Sequence, residues 1–149
     1  MKINRNDNQT EVFEIIKTAY KTELNSELKR YENEVYFTAL DENNIICGVS
    51  RFCKLSQVEL LREGFEIFNL KQELANNKDI YYLSGIWVKQ THRKQGVGKK
   101  LLKSRLQMLK NSVIITDVRK SSDLLNIYTT EYGFKIIEEE TEYIILKKF

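Results

Sequence analysis

The sequence contains no proline, two cysteines and one histidine among its 149 residues. Cys47 and Cys53 have no second pair of cysteines to join, and His92 does not complete a zinc-ligand set with them. This scarcity argues against a disulfide framework and against a bound metal. If the two cysteines share a strand they face the same side, and we expect both to be small buried hydrophobic residues.

Long hydrophobic runs are also absent from the sequence. No run approaches the roughly 18 apolar residues that a membrane helix requires, and the N-terminal segment MKINRNDNQT lacks the apolar core of a secretory signal. We therefore expect no membrane partner and a cytoplasmic location. Hydrophobic residues make up 42% and charged residues 30% of the chain, which is ordinary for a globular protein, and the length predicts a single domain over residues 1–149.

Positive charge is concentrated in one segment, although the net charge is only +3. Lys89 to Lys110 contains eight Lys or Arg residues and no acid. A basic segment of this kind predicts an anionic ligand, a nucleic acid backbone or a solvated helix face. Nucleic acid is disfavoured, because no RNA-binding signature accompanies the segment and Trp87 lies in an apolar strand where a core role is expected.

Hydrophobic periodicity predicts alternating strands and helices along the chain. A helix capped by Thr10 or Asn8 is followed by a short helix over residues 26–31. Near the C terminus, Ser121 or Ser122 caps a helix that ends at Gly133. The predicted strands cover residues 1–3, 34–40, 45–52, 80–88, 113–118, 134–139 and 143–147, with turns at 41–44 and near 140–141.

Residues 56–78 predict a helical insert between two strands, either as one helix or as two helices joined near Gly64. Three roles are open to this insert. It covers one face of the sheet, shapes a pocket for a second substrate, or forms the contact of a homodimer.

The stretch from Ile80 to Leu109 combines an apolar strand, a basic turn with two glycines and an amphipathic helix. The N terminus of such a helix binds anions, because its first N–H groups lack intrahelical partners and the helix dipole is positive there. Gly85 within the strand predicts a bulge or the close approach of another group. The side of the helix predicted to face solvent carries Lys99, Lys103, Arg105 and Lys110.

Three glycine-loop patterns compete for the turn. A nucleoside-triphosphatase loop fails because Arg93 replaces its first glycine and Lys100 its hydroxyl residue. A dinucleotide fingerprint fails because Leu101 replaces the third glycine. The pattern [RQ]-x-x-G-x-[GA] is satisfied by residues 93–98, RKQGVG, between an apolar strand and a helix.

This turn resembles the acyl-coenzyme A loop of the GCN5-related N-acetyltransferases, the GNAT superfamily. The flanking order supports the resemblance, with strand 80–88 before the loop, VIITDV after the helix, and Tyr132-Gly133-Phe134 before two closing strands. The resemblance implies a single-domain α/β (α+β) fold, in which helices flank a central mixed, mostly antiparallel sheet of about seven strands. It also implies acetyl-CoA as co-substrate, without a metal, and a primary amine of a small molecule, peptide or protein as acceptor.

The resemblance assigns roles to individual residues as well. Backbone N–H groups of the loop hold the pyrophosphate of the coenzyme, and the pantetheine arm pairs with the strand like an extra strand. A backbone N–H of that strand, that of Trp87 or Val88, serves the thioester carbonyl. The residues implied in coenzyme binding are Ile86, Trp87, Val88, Arg93, Lys94, Gln95, Gly96, Val97, Gly98 and Lys99.

The general acid of the family is usually a tyrosine four residues before the glycine of Gly-Phe, where this sequence has Thr129. Tyr128, one position earlier, is the candidate acid if the helix end is irregular; Thr129, water, or a purely structural Tyr128 are the alternatives. No base is evident, and a water chain or an acid such as Glu27, Glu32 or Glu34 stays open. These departures keep a second function in view, a non-catalytic protein of the same fold that binds or senses acyl-CoA.

Overall fold

The computed structural model describes residues 1–6, 8–55, 79–110, 112–139 and 143–148. The predicted helical insert at 56–78 and the predicted turn near 140–141 lie outside the described residues. The chain divides into two compact units, Met1–Cys53 with Ser84–Lys110 and Lys54–Leu83 with Asn111–Phe149.

The first unit contains the glycine turn and the elements that flank it. Strands β1, β2, β3 and β4 are neighbours in that order, and β2 pairs antiparallel with both β1 and β3. Asp41 Oδ1 accepts hydrogen bonds from the N–H groups of Asn43 and Ile45 and so forms the predicted turn between β2 and β3. The elements are β1 (Lys2–Asn6), α1 (Gln9–Leu24), β2 (Glu34–Leu40), β3 (Ile46–Lys54), the C-terminal part of β4 (Ile80–Val88) and α2 (Val97–Met108).

Helix α1 begins at Gln9 because Asn8 caps it. The Asn8 side chain accepts a hydrogen bond from Glu11 N–H at 3.4 Å. The apolar side of the helix packs against β2 and β3 in one buried cluster, which comprises Val12, Phe13, Ile16, Tyr36 and Val49.

The prediction of a short helix over residues 26–31 is wrong. Asn25 adopts a left-handed conformation, φ +47°, and its N–H bonds to Lys21 O, which ends α1. Residues 26–31 then lie outside any helix or strand. A helix of that length does not offset its nucleation cost. Side chains of the segment contact the core instead: Leu28 packs on the α1 cluster, and Arg30 lies over the Phe13 ring at 5.5 Å.

The second unit contains the N-terminal part of β4 together with β5 (Val113–Arg119), α3 (Asp123–Glu131), β6 (Lys135–Glu139) and β7 (Tyr143–Lys148). Strand β4 pairs parallel with β5, whereas β7 lies between β5 and β6 and is antiparallel to both. Ser122 caps α3, and Gly133 at φ +71° follows the end of that helix, as predicted. The α+β class with a mixed, mostly antiparallel sheet is therefore confirmed, and the described residues contribute seven strands to it.

Candidate functional site

The glycine turn leads from β4 into α2 by way of a short 3-10 helix, Gln90–His92. Two of its residues have a left-handed backbone, Lys94 at φ +61° and Gly96 at φ +81°. This conformation costs a non-glycine residue about 1–2 kcal/mol, so Lys94 carries the kind of strain that concentrates at binding sites. Gly96 occupies the capping position directly before α2.

The N terminus of α2 differs from those of α1 and α3. Asn8 and Ser122 cap those two helices through their side chains, and each helix has an acid in its first turn. Helix α2 has neither, because Gly96 has no side chain and the first turn contains no acid. The positive dipole end of α2 therefore has neither a capping side chain nor an acid of its own, an arrangement that suits an external anion.

Gly98 is a glycine that the chain itself does not require. Its φ lies outside the left-handed region, and a Cβ at this position would have Val88 Cγ2 as its nearest described neighbour, at an ordinary 3.7 Å. Glycine inside a helix is about 1 kcal/mol less favourable than alanine. The missing side chain keeps the space beside the start of α2 open, which suits a ligand that approaches the backbone closely.

The last residues of β4 direct their backbone groups alternately toward β3 and away from it. Lys89 N–H donates to Cys47 O at 2.8 Å, so Lys89 and, by alternation, Trp87 face β3. The backbone groups of Ile86 and Val88 therefore lie on the opposite edge. Of the three strand residues predicted to pair with a pantetheine arm, these two have the suitable backbone direction.

The last turn of α1 contacts both this edge and the loop. Tyr20 Oη lies 3.0 Å from Ile86 N and 3.0 Å from Ile86 O, so the hydroxyl accepts from one group and donates to the other. Three positions later, Glu23 Oε2 lies 2.5 Å from Arg93 Nη2, and Arg93 Nε donates to Val88 O at 2.9 Å. Sequence reasoning missed Tyr20 and Glu23, because their partners are 66 and 70 residues away and no local pattern marks them.

A buried charge network lies in the same unit. Glu34 and Arg51, 2% and 1% exposed, form an ion pair at 2.5 Å. The Tyr36 hydroxyl donates to the other Glu34 oxygen, and Tyr31 N–H donates to the first one at 2.8 Å. Burial raises the pKa of Tyr36, and the Glu34 carboxylate raises it further, so Tyr36 remains a donor. Both oxygens of Glu34 are engaged, which disfavours it among the three acids considered as a base.

Arg105 is buried, not solvent-facing as its position on α2 predicted. It is 1% exposed, and its Nη1 donates to Arg51 O at 3.1 Å and to Gly85 O at 3.2 Å. The hydrophobic pattern placed Arg105 on the solvent side because the residue is charged. The long apolar stem of Arg105 instead lets the guanidinium reach main-chain carbonyls in the interior. Gly85 has φ +154°, and a Cβ there would lie 3.4 Å from the side-chain atoms Arg51 Nε and Tyr20 Oη, which is ordinary contact, so the expectation for Gly85 stays a prediction.

Tyr128 and Thr129 lie on α3, in the second unit. Tyr128 is 2% exposed, and its ring packs against Phe134 with the centroids 4.9 Å apart. Thr129 Oγ1 donates to Leu125 O at 2.9 Å, which directs its one proton into the helix. This bond disfavours Thr129 as a proton donor, and the role of Tyr128 stays a prediction.

Within the part of the chain that the structure describes, no group of three or more His, Cys, Asp or Glu side chains is placed to hold a metal ion. Cys47 and Cys53 both lie in β3 with buried side chains, as predicted. Among those same residues, no helix combines the length and apolar character needed to cross a membrane.

Comparison with known proteins adds to this geometry. A family model described as "Acetyltransferase (GNAT) family" matches residues 5–134. No curated protein sequence matches the chain. At 10–14% identity, the likeness to solved structures concerns the fold alone.

Three solved structures illustrate the likeness. FeeM, an N-acyl amino acid synthase from uncultured soil microbes, has a TM-score of 0.73 at 10% identity, over 100% of this chain and 95% of that chain. NAA60 of Arabidopsis thaliana in complex with acetyl-CoA has a TM-score of 0.68 at 11% identity, over 99% and 97% of the two chains. The ribosomal-protein-S18-alanine N-acetyltransferase of Escherichia coli has a TM-score of 0.60 at 14% identity, over 98% and 91%.

Proposed function

The chain belongs to the acetyltransferase (GNAT) family, and on this premise we propose that it transfers an acetyl or other acyl group from acetyl-CoA directly to a primary amine of a small molecule, peptide or protein. Residues 1–149 act as one acyltransferase domain in this proposal, in the cytoplasm. The observation that carries it is the N terminus of α2, which has Gly96 at its capping position and Gly98 in its first turn and lacks a side-chain cap.

The residues present suit the coenzyme. Its pyrophosphate would lie against the backbone N–H groups of residues 93–99, where the helix dipole favours negative charge. Lys94 and Lys99 add positive charge beside it. The pantetheine arm would extend back along β4 and pair with the edge at Val88, while Trp87 faces β3 and both backbone groups of Ile86 are bonded to Tyr20 Oη.

In the proposed reaction the amine nitrogen attacks the thioester carbonyl carbon, so that an N–C bond forms and the C–S bond breaks. Val88 N–H lies on the edge of β4 and would donate to the carbonyl oxygen as negative charge develops there. The leaving thiolate takes a proton, which we assign to Tyr128 as general acid. The amine gives up its proton to a water chain or to an acid of the N-terminal half.

The names of the fold neighbours support this choice of chemistry. NAA60 of Arabidopsis thaliana was solved with acetyl-CoA bound. The Escherichia coli neighbour is an N-acetyltransferase for an alanine of a ribosomal protein, and FeeM is an N-acyl amino acid synthase. The acceptors differ between these proteins, so the acceptor of this chain has to be found by experiment.

Ligand-dependent melting tests the proposal first. Micromolar acetyl-CoA should raise the melting temperature, whereas nucleotides without the pantetheine arm and oligonucleotides should not. Thiol release with a library of amines then distinguishes an enzyme from the alternative, a non-catalytic protein that binds or senses acyl-CoA. Stabilisation by acetyl-CoA without thiol release for any amine would favour that alternative.

Gly98→Leu should spare the fold and impair coenzyme binding. A leucine at this position gains helix propensity, and its Cβ would have only an ordinary contact with Val88 Cγ2 at 3.7 Å, but the side chain would fill the space beside the start of α2. Melting of the free variant should match wild type, and the stabilisation by acetyl-CoA should disappear. Gly98→Ala is the matched control, since the family pattern accepts alanine and binding should persist. Full stabilisation of Gly98→Leu by acetyl-CoA would refute this site.

Tyr128→Phe should lower kcat about 100-fold and leave KM for acetyl-CoA unchanged. A 100-fold loss is the lower end of the contribution that a general acid usually makes. The ring contact with Phe134 is kept, so the melting temperature should hold. Steady-state kinetics with a reactive amine measure the effect. Thr129→Val removes the neighbouring hydroxyl and should retain wild-type turnover. Unaltered turnover in Tyr128→Phe would refute the assignment.

A further inference from the structure

Tyr20 occupies backbone groups that a strand-like ligand would otherwise use. An edge residue of a sheet offers one N–H and one C=O to a neighbouring strand. At Ile86 both groups are bonded to a single hydroxyl, Tyr20 Oη, at 3.0 Å each. Val88 faces the same edge one alternation later. An added strand can therefore pair with this edge at Val88 but not at Ile86, because the backbone groups of Ile86 are bonded to Tyr20.

The order of residues along β4 determines which end of the coenzyme meets Tyr20. The loop lies beyond the Val88 end of β4, after the 3-10 helix, so a coenzyme with its pyrophosphate on the loop would reach Val88 before Ile86. The two residues are about 7 Å apart at the usual rise of a strand. Tyr20 therefore lies at the acyl end of the coenzyme, and not at its phosphate end.

We propose that Tyr20 is a positioning residue for acyl transfer: by holding both backbone groups of Ile86, its hydroxyl ends the pairing edge at Val88 and sets where the thioester stops. This role rests on the proposed function. Glu23, on the same turn of α1, pairs with Arg93 of the loop. This turn of α1 therefore contacts both ends of the path that the coenzyme would follow along β4.

Tyr20 is distinct from the general acid. Its proton is directed at Ile86 O and is not available to a leaving thiolate in this arrangement. Its effect on the reaction passes through the backbone of β4, by the placement of the thioester relative to the amine. Loss of the hydroxyl should therefore change turnover and coenzyme affinity in different directions.

Tyr20→Phe keeps the ring and removes the hydroxyl. The N–H and C=O groups of Ile86 then become available to the amide groups of the pantetheine, so CoA should bind as tightly as to wild type or more tightly. Without the hydroxyl, the thioester is no longer held at one position along β4. We therefore expect kcat to fall about 10- to 100-fold, as happens when reacting groups are slightly misplaced. Calorimetry with CoA, steady-state kinetics at saturating amine and thermal melting measure the three quantities. A merely structural role would lower all of them together.

Tyr81→Phe is the matched control, because it removes a hydroxyl from β4 on the other side of Gly85 and should leave kcat and CoA affinity unchanged. Unchanged kcat in Tyr20→Phe, or parallel losses of kcat, CoA affinity and melting temperature, would overturn the role of Tyr20. Failure of the wild-type protein to bind acetyl-CoA at all would overturn the proposed function, and this role with it. The two failures are therefore distinguishable in one set of proteins.

Discussion

Gly96→Glu is expected to abolish acetyl-CoA binding while the protein still folds. Gly96 has φ +81°, which strains any other residue, but no described atom lies within 4 Å of the position that a Cβ would take. The substitution places a negative charge at the N terminus of α2, where the pyrophosphate would lie. Like charges opposed at an interface cost several kcal/mol, so affinity should fall by more than about 100-fold, since each factor of ten is 1.4 kcal/mol.

Gly96→Ala separates the backbone effect from the charge. Both variants force a non-glycine residue into the left-handed region, at a cost of about 1–2 kcal/mol, but only Gly96→Glu adds charge and length. Titration calorimetry with acetyl-CoA should therefore show a much smaller loss of affinity for Gly96→Ala. Undiminished binding by Gly96→Glu would refute the placement of the pyrophosphate on this loop.

Arg51→Ala should lower the free energy of unfolding by about 3–5 kcal/mol, because it leaves the buried carboxylate of Glu34 without its counter-charge. The variant also loses the hydrogen bond from Arg51 Nε to Ser84 O at 3.0 Å and the contact over the Phe13 ring at 5.6 Å. Stabilities of single domains are typically about 5–15 kcal/mol, so this loss is a large fraction of the total. Urea denaturation followed by circular dichroism measures it.

The paired substitution Arg51→Met with Glu34→Gln is the control for the buried ion pair. Replacing both charges removes the unpaired carboxylate, and the double variant should recover a substantial part of the stability lost in Arg51→Ala. A loss below about 1 kcal/mol for Arg51→Ala, the value typical of an exposed ion pair, would show that the pair is not buried in solution.

Local chemistry made one part of the site predictable. The loop, its glycines and the start of α2 depend on residues that are neighbours in the chain, and so do the cap at Ser122 and the stop at Gly133. A helix N terminus that lacks both a capping side chain and an acid is also visible in sequence. These features predict an anion site before any tertiary contact is known.

Tertiary contacts account for what the sequence did not reveal. Tyr20 meets Ile86 and Glu23 meets Arg93 only after α1 has packed beside β4, and sequence separations of 66 and 70 leave no periodic trace of these pairs. The prediction that Arg105 faces solvent was wrong for a related reason. Hydropathy does not distinguish a solvated arginine from one whose stem is buried and whose guanidinium binds main-chain carbonyls.

The shortness of some segments explains the remaining error. Residues 26–31 have helical spacing, but so short a helix depends on tertiary support. The left-handed Asn25 ends α1 before them, and the contacts of Leu28 and Arg30 with the α1 cluster hold the segment in another conformation. Propensity was overridden there by packing against the core.

Amine-dependent thiol release is the measurement that tests the central claim most directly. Wild-type protein is incubated with acetyl-CoA and a broad set of primary amines, free thiol is followed continuously, and the acetylated amine is identified by mass spectrometry. We expect at least one amine to give thiol release that requires both substrates, with an equal amount of N-acetylated product, and we expect Gly96→Glu to abolish it. Acetyl-CoA binding without amine-dependent thiol release across the whole set, or equal turnover by Gly96→Glu, would contradict the account.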